Sequence, residues 1–284
     1  MIKKILILGG TGLLGRPVLR ALQDAGFETR LMTRNKGKAL PIVGPSTEVV
    51  EGEVQEVDRL RQAVKGCQGV HISIGGDVDQ LSAENVSAVA RGEGVERVSY
   101  ISGATASEEN RWFPMTAQKL NAEMAIRNSG VPFTIFCPTW PMEMLVRFAR
   151  GGEPTIIGRQ PRPLHWFAAD DLGRMVAIAY QKEEAANKRF YVHGPEGIPM
   201  RDALERYCTV FHPGGKPVKV LPLGMANAIG ILTRNRALRF ATKLMAYFDK
   251  IGEMGDPTEA NAMLGTPETT LAEWMKLQQA KTSE

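Results

Sequence analysis

A glycine-rich loop near the N-terminus constrains the fold of this chain more than any other feature of its sequence. The loop reads Gly-Gly-Thr-Gly-Leu-Leu-Gly over residues 9–15. It follows a continuous apolar run, Ile5 to Leu8, which is typical of a strand buried on both faces of a sheet. Apolar residues then recur at helical spacing, at Leu14, Val18 and Leu22. This order of strand, glycine loop and helix predicts the first unit of a parallel α/β sheet.

The same loop predicts a binding site for a dinucleotide. It fits G-x-G-x-x-G through Gly10, Gly12 and Gly15, and it fits G-x-x-G-x-x-G when Gly9 replaces Gly10. Glycines let the backbone turn sharply and let its N–H groups approach a pyrophosphate. The helix N-terminus adds a partial positive charge. An ordinary glycine-rich turn is the alternative, but the flanking strand and helix favour the dinucleotide site.

The residues after the second predicted strand indicate which dinucleotide binds. NAD sites usually place Asp or Glu there, where the carboxylate accepts a hydrogen bond from the ribose 2′-hydroxyl. Here the strand ends at Thr33 and Arg34 follows, with Lys36 and Lys38 nearby and no carboxylate. A guanidinium can hold a 2′-phosphate through two hydrogen bonds. The sequence therefore predicts NADP(H), and a solvated basic loop is the alternative.

Strands and helices alternate along most of the chain, which predicts right-handed crossovers and a mainly parallel sheet. Further strands are predicted at 29–33, 48–51, 70–74, 98–101, 133–136 and 189–193. Further helices are predicted at 58–65, 80–91, 116–128, 171–180 and 200–210. We expect an α/β fold: a Rossmann doubly wound parallel sheet with a smaller, mostly helical C-terminal substrate region.

The last third of the sequence has a different pattern. Residues 151–168 are rich in Gly, Pro and Arg and predict a loop, and 224–251 predicts one long apolar helix. We expect that helix to pack over the sheet, and a membrane-surface helix is the alternative. The expected division is an NADP-binding core over 1–153 and a substrate-binding region over 154–284, with the strand near 189–193 returning to the core sheet.

Composition narrows the possible partners and the compartment. A net charge of +4 over 284 residues is weak evidence for nucleic-acid binding. Cys67, Cys137 and Cys208 have neither metal-ligand nor disulfide spacing, which suits a reducing compartment. No window holds 18 uninterrupted apolar residues, and the N-terminal apolar run has no cleavage site. We expect a cytoplasmic protein with a small-molecule substrate and no nucleic-acid or membrane partner; the oligomeric state stays open.

With these residues considered together, the chain resembles the NmrA-like group of atypical short-chain dehydrogenases/reductases. The likeness extends over nearly the whole chain and depends on the order of several short motifs. They are the glycine loop, Thr-Arg-Asn at 33–35, Lys-Leu-Asn-Ala-Glu at 119–123, Val-Pro-Phe-Thr-Ile at 131–135 with Pro138, Asp-Asp-Leu-Gly at 170–173, His-Gly-Pro-Glu at 193–196, and Leu-Gly-Thr-Pro at 264–267 followed by Thr270 and Leu271.

The resemblance implies a cofactor site along the carboxyl ends of the strands. Arg34 would take the 2′-phosphate, and Lys119 would bind the hydroxyls of the nicotinamide ribose. Gly75 and Gly76, which end the fourth strand, would let the adenine-side ribose approach. The other implied cofactor residues are Gly9, Thr11, Gly12, Leu13 and Leu14 at the pyrophosphate, Ser102 and Gly103 after the fifth strand, and Pro138, Thr139 and Trp140 near the nicotinamide.

The sequence departs from the wider superfamily where acid–base chemistry is expected. Those dehydrogenases carry Tyr-x-x-x-Lys, whose Tyr donates a proton, but the residue four positions before Lys119 is Met115. The usual Arg before Pro138 is Cys137. The nearest tyrosine, Tyr100, falls within the fifth strand and is expected to be structural. The usual acid–base pair is therefore missing.

Two functions remain open, and we favour the first. An NADPH-dependent reductase could transfer hydride to a quinone, a cationic dye or a conjugated enone, with no tyrosine required. Alternatively, the protein binds NADP(H) without turnover, as a redox sensor, regulator or assembly factor. The candidate catalytic residues are Lys119, Ser102 and His165, the last as a proton donor. Thr105 could replace Ser102 in orienting a carbonyl.

Several other side chains have both a functional and a structural interpretation. Two roles are equally open for a group of apolar side chains: they line an apolar substrate pocket, or they pack in the core. These residues are Trp140, Met142, Met144, Trp166 and Phe167. Glu143 and the pair Asp170 and Asp171 could do acid–base work, but an N-cap role is favoured for the pair. Structural roles are expected for the remaining histidines, His71, His193 and His212.

Overall fold

The apolar run before the glycine loop lies inside a parallel sheet. The structure, a computed structural model, describes residues 2–149 and 153–282. The strands are β1 (Lys4–Leu8), β2 (Glu28–Thr33), β3 (Glu48–Glu51), β4 (Gly69–Ile72), β5 (Arg97–Ile101), β6 (Phe133–Pro138), β7 (Thr155–Ile157), β8 (Pro163–Trp166), β9 (Lys188–Val192), β10 (Glu196–Pro199) and β11 (Lys219–Leu221). Within the described residues, seven of them form one sheet in the order β3-β2-β1-β4-β5-β6-β9, and every pairing is parallel.

Helices fill the connections between the strands. They are α1 (Gly15–Asp24), α2 (Lys36–Val43), α3 (Val57–Val64), α4 (Asp79–Ala90), α5 (Pro114–Asn128), α6 (Leu145–Phe148), α7 (Ala169–Gln181), α8 (Met200–Phe211), α9 (Leu223–Leu232), α10 (Arg236–Lys250), α11 (Thr258–Leu264) and α12 (Leu271–Thr282). Helix α1 packs on α7, and α4 packs on α3 and α5. The predicted Rossmann class, a doubly wound parallel sheet, is confirmed.

The chain forms two compact units. The first contains the residues up to Pro138, Ala169–Val192 and Gly255–Pro267; the second contains Thr139–Ala168, His193–Met254 and the residues from Glu268 on. This division differs from the single boundary expected after residue 153. Helix α7 packs on α1 and strand β9 pairs with β6, so both elements belong to the sheet unit.

The core of the first unit explains why its strands were recognisable. Ile5, Leu6 and Ile7 are fully buried, and each contributes about 1.5–3 kcal/mol when it leaves water. The sheet also buries His71, whose Nδ1 lies 2.7 Å from Ser99 Oγ. Burial lowers the pKa of His71 to about 3. The prediction that His71 is a core residue is confirmed.

The second unit corrects two predictions. The expected loop over 151–168 holds β7 and β8 within its described part; residues 151 and 152 lie outside the described residues. Strand β8 pairs antiparallel with β10, and β7 pairs parallel with β11, while helices make up most of the regular structure of the region. The expected helix over 224–251 is two helices, α9 and α10. The break falls at Arg234, which has a φ of 52°, and at Asn235, whose side chain caps α10 by accepting from the N–H of Leu238.

The alternative of a membrane-surface helix over 224–251 stays a prediction. None of the helices in the described part of the chain has the length and apolar character that a bilayer span requires.

Candidate functional site

The glycine loop is held in a conformation that only glycine fits. Gly9 has a φ of +85°, and a Cβ there would overlap the carbonyl oxygen of Ser73. A Cβ on Gly15 would overlap the carbonyl oxygen of Gly9, so helix α1 begins directly against the loop backbone. The Gly12 N–H donates to the Gly9 carbonyl at 2.9 Å and closes the turn. The loop therefore presents backbone rather than side chains at the start of α1.

The loop forms one wall of a cleft at the carboxyl ends of the strands. The cleft has a volume of about 400 Å³. Its walls come from four segments: residues 9–12 after β1, 31–34 at the end of β2, 52–55 after β3, and 73–75 with Val78 after β4. Chain order along the sheet reverses between β1 and β4. Open α/β sheets bind ligands at this reversal point.

The charges around the cleft suit an anionic ligand. Helix α1 has no side-chain cap and no acidic residue in its first turn, so the positive end of its dipole stays uncompensated by the protein. Arg34 lines the cleft, is exposed, and forms no ion pair with the described residues. Asn35 caps α2 by accepting from the Lys38 N–H, so its carbonyl group is already used. Glu53 is the acidic residue of the wall, and it follows β3 rather than β2. These residues fit a dinucleotide with an extra phosphate.

Lys119 is fixed by a buried network that the sequence did not reveal. Its Nζ lies 2.6 Å from Asp79 Oδ2 and donates to the Ile101 carbonyl at 2.8 Å. Tyr100 donates its hydroxyl to Asp79 Oδ1 at 2.9 Å, and its ring lies 4.8 Å below the Lys119 ammonium. Burial, reinforced by Asp79, raises the pKa of Tyr100 far above its usual value. Tyr100 is fully buried, as the structural interpretation predicted.

A second network surrounds Ser102. The Ser102 hydroxyl donates to Glu123 Oε1 at 2.5 Å, and Arg189 on β9 donates to Glu123 Oε2 at 2.9 Å. Arg189 also donates to the Ala106 carbonyl at 2.7 Å. Burial raises the pKa of Cys137 to about 12, although the nearby Arg189 charge opposes that shift. The guanidinium near Cys137 therefore comes from the neighbouring strand β9.

The remaining predicted cofactor residues divide between the two units. Leu13, Leu14 and Thr11 lie in the glycine loop, Gly75 lines the cleft, and Gly76 has a φ of +78°. Gly103 has open space where a Cβ would be. Pro138 ends β6, and its carbonyl accepts from the Ala104 N–H. Thr139, Trp140 and His165 belong to the second unit.

The aromatic residues of the second unit pack against one another. Trp166 and Phe167 are fully buried, and Trp140 is nearly so. The ring of Trp140 lies 4.8 Å from that of Phe248 and 6.2 Å from that of Trp166. Met142 is in the same cluster, and Met144 packs against it. This arrangement favours core packing over an open substrate pocket, the two interpretations that the sequence left equal.

The acidic side chains considered for acid–base work have structural partners. Asp170 pairs with Arg20 at 2.9 Å, and Asp171 accepts from Arg174 at 3.4 Å. Helix α7 begins at Ala169, so both aspartates lie inside its first turn, two and three residues beyond the N-cap position that the sequence favoured for them. Glu143 accepts from the Trp274 indole N–H at 3.1 Å.

Comparison with known proteins agrees with this geometry. A sequence model described as NAD(P)H-binding matches residues 9–155. A (4-alkanoyl-5-oxo-2,5-dihydrofuran-3-yl)methyl phosphate reductase of Streptomyces griseus is 27% identical over 78% of this chain and 77% of its own. An NmrA-like family domain-containing oxidoreductase of Aspergillus japonicus is 31% identical over 55% of this chain and 51% of its own.

A solved structure supports the same fold. The triphenylmethane reductase of Citrobacter sp., complexed with NADP(H), superposes with a TM-score of 0.79. The two proteins share 19% identity over 96% of this chain and 99% of the other. The glycine-rich loop, the cleft at the reversal of strand order and the matching sequence model lead to one assignment: the chain belongs to the NAD(P)H-binding family.

Proposed function

We propose that the protein is an NADPH-dependent reductase that delivers hydride to a conjugated or quinone-like acceptor without a tyrosine proton donor. The observation that carries this proposal combines two features: Arg34 lines the cleft without an ion-pair partner among the described residues, and Met115 occupies the position of the usual tyrosine. NADPH supplies the hydride from its nicotinamide ring when bound. The chain's own residues bind and orient the reactants.

Selectivity for NADPH over NADH depends on Arg34. Its guanidinium is the basic group of the cleft wall at the end of β2, where a carboxylate would instead serve the ribose of NAD. A 2′-phosphate there can accept charge-assisted hydrogen bonds worth about 1.5–3 kcal/mol. The glycine loop and the start of α1 hold the pyrophosphate through backbone N–H groups.

Lys119 acts as a fixed positive group. Its Nζ is held between the Asp79 carboxylate and the Ile101 carbonyl, with 17% of its side chain exposed. A lysine anchored in this way is available to orient ribose hydroxyls, and it does not need to swing into place. Such preorganisation reduces the entropy lost when the reactants are aligned.

The first unit offers no hydroxyl prepared for proton transfer at the tyrosine position. Met115 lies in the first turn of α5 and carries no transferable proton. The proton of Tyr100 is held by Asp79, and that of Ser102 is held by Glu123. An acceptor that spreads its new negative charge, or that takes a proton from water, avoids this requirement. The Streptomyces relative, named for the reduction of an alkanoyl-oxo-dihydrofuran phosphate, supports a conjugated carbonyl as acceptor. Ser102 and His165 as catalytic residues remain predictions.

The second candidate is an NADP(H)-binding protein without turnover, acting as a sensor, regulator or assembly factor. The same Met115 favours it, because loss of a proton donor is also expected where chemistry has been lost. The two candidates share the cofactor site and differ in whether an acceptor consumes the bound NADPH.

NADPH oxidation against a panel of quinones, cationic dyes, conjugated enones and imines separates the candidates. We expect turnover with at least one of these classes. In Arg34→Ala we expect NADPH affinity to fall about 10- to 100-fold with little change for NADH, following the loss of about 1.5–3 kcal/mol. Lys38→Ala is the matched control, since Lys38 belongs to the same basic segment but does not line the cleft.

The possible failures are distinct. Tight NADPH binding without turnover on any acceptor would favour the sensor. Equal affinities for NADPH and NADH in the wild type would refute the role of Arg34. Absence of nucleotide binding would overturn both candidates.

A further inference from the structure

We propose that the second unit carries a divalent-metal site made by His165, His193 and Glu253. One potential ligand atom from each residue lies within 4.8 Å of the others. His165 is in β8, His193 directly follows β9, and Glu253 lies three residues after the end of α10. Three separate segments thus bring two imidazoles and a carboxylate together. None of these three residues lines the nucleotide cleft.

The carboxylate of Glu253 is held in a fixed orientation. Its Oε1 accepts from the His165 backbone N–H at 2.6 Å, and its Oε2 lies 2.7 Å from His165 Nδ1. Only 12% of the Glu253 side chain is exposed. Among residues 2–149 and 153–282, no Lys or Arg forms an ion pair with it. A largely buried carboxylate with no Lys or Arg partner is costly, and a bound cation would offset that cost.

The tautomer of His193 is also set by the structure. Its Nε2 lies 3.2 Å from the Met254 carbonyl, which can only accept, so Nε2 carries a hydrogen and, in the neutral ring, Nδ1 carries the lone pair. A hydrogen bond from one ring nitrogen to a backbone carbonyl is the usual way in which proteins orient a metal-binding histidine. The rings of His165 and His193 stack at 5.6 Å with an interplanar angle of 25°.

The environment leaves room for the ligands to close on an ion. Tetrahedral ligand atoms about 2.0–2.1 Å from zinc lie about 3.4 Å from one another. His165 has 43% of its side chain exposed and can rotate from its present contact. The cross-strand neighbour of His165 is Gly197, where a Cβ would lie 3.2 Å from His165 Nε2. Two imidazoles and one carboxylate suit Zn²⁺ and related first-row ions, with water completing the coordination.

Zinc titration of the tag-free, chelator-dialysed full chain tests this proposal by calorimetry. We expect one Zn²⁺ per chain, and a loss of affinity of at least about 10- to 100-fold in both His193→Ala and Glu253→Gln. Co²⁺ in place of Zn²⁺ should give visible absorption bands that weaken in the same variants. His212→Ala is the matched control, because His212 is an exposed histidine of the same unit outside the cluster. Circular dichroism and the urea midpoint, measured in parallel, report whether each variant still folds.

Three results would overturn the metal site. The first is no binding at Zn²⁺ concentrations well above that of the protein. The second is binding that survives unchanged in His193→Ala and Glu253→Gln. The third is binding that disappears in His212→Ala, which would place the ion elsewhere.

Discussion

The Asp79–Lys119 pair gives the sharpest test of how the first unit is held together. Asp79→Asn keeps the size of the side chain and an oxygen that can accept from Tyr100, but it removes the negative charge. The Asp79 side chain is 4% exposed and that of Lys119 is 17% exposed, so water cannot fully replace the lost partner. The substitution therefore removes the charge together with the acceptor oxygen that faces Lys119.

The magnitude follows from what Lys119 retains. Removing one partner of a buried ion pair costs about 3–5 kcal/mol. In the variant, Lys119 keeps its hydrogen bond to the Ile101 carbonyl and its contact with the Tyr100 ring, and the latter is worth about 0.5–2 kcal/mol. We therefore expect a loss in the free energy of unfolding of about 1.5–3 kcal/mol. Arg20→Ala, which breaks the exposed pair with Asp170 in the same unit, should cost less than about 1 kcal/mol.

A double-mutant cycle measured by urea denaturation provides the assay. The variants are Asp79→Asn, Lys119→Met and the double variant, each compared with the wild type. We expect a coupling energy above about 1 kcal/mol, because each single variant leaves one buried polar group without its main partner. A coupling below about 0.5 kcal/mol, or an Asp79→Asn effect no larger than that of Arg20→Ala, would refute the reasoning.

Two further predictions concern the glycine loop and the sheet interior. Gly15→Ala should abolish measurable NADPH binding in a fluorescence titration, because its Cβ would overlap the Gly9 carbonyl; Gly224→Ala, where a Cβ meets open space, should bind normally. The pKa of His71 is lowered in the folded state, so its contribution to stability is complete above its unfolded pKa of about 6.5 and declines as pH falls towards 3. The loss in the free energy of unfolding should approach about 1.4 kcal/mol per pH unit. Between pH 7 and 4, the urea midpoint should therefore fall less in His71→Gln than in the wild type. Equal slopes in the two proteins would contradict this role of His71.

The sheet could be predicted from the sequence because its signals are local. Ile5 to Leu8 is a run of apolar residues that a doubly covered strand requires, and the loop that follows has few conformations open to it. The short strands of the second unit carry no such signal. Strand β8 begins at Pro163 and β7 has three residues, so periodicity cannot identify either one.

The sequence could predict only those parts of the candidate site whose residues lie close together along the chain. The glycine loop and Arg34 lie within the first βα units, and both line the same cleft. Asp79 and Lys119 are 40 residues apart, and Glu123 and Arg189 are 66 apart. These residues pair because of the order in which the strands lie in the sheet, and a single sequence does not predict that order. The cluster around Glu253 was missed for the same reason, since its ligands are distributed over three segments.

The positions of Lys119 and Glu123 on one helix suggest what replaced the tyrosine. They are four residues apart, so both lie on the same face of α5. Lys119 ties that face to Asp79 in α4, and Glu123 ties it to Arg189 in β9 and to Ser102 after β5. The face that carries a proton donor in Tyr-x-x-x-Lys enzymes is here anchored at both ends by ion pairs. A helix fixed in this way is suited to holding a cofactor in position. If the acceptor needs no proton from the protein, holding the cofactor is all that this helix has to contribute.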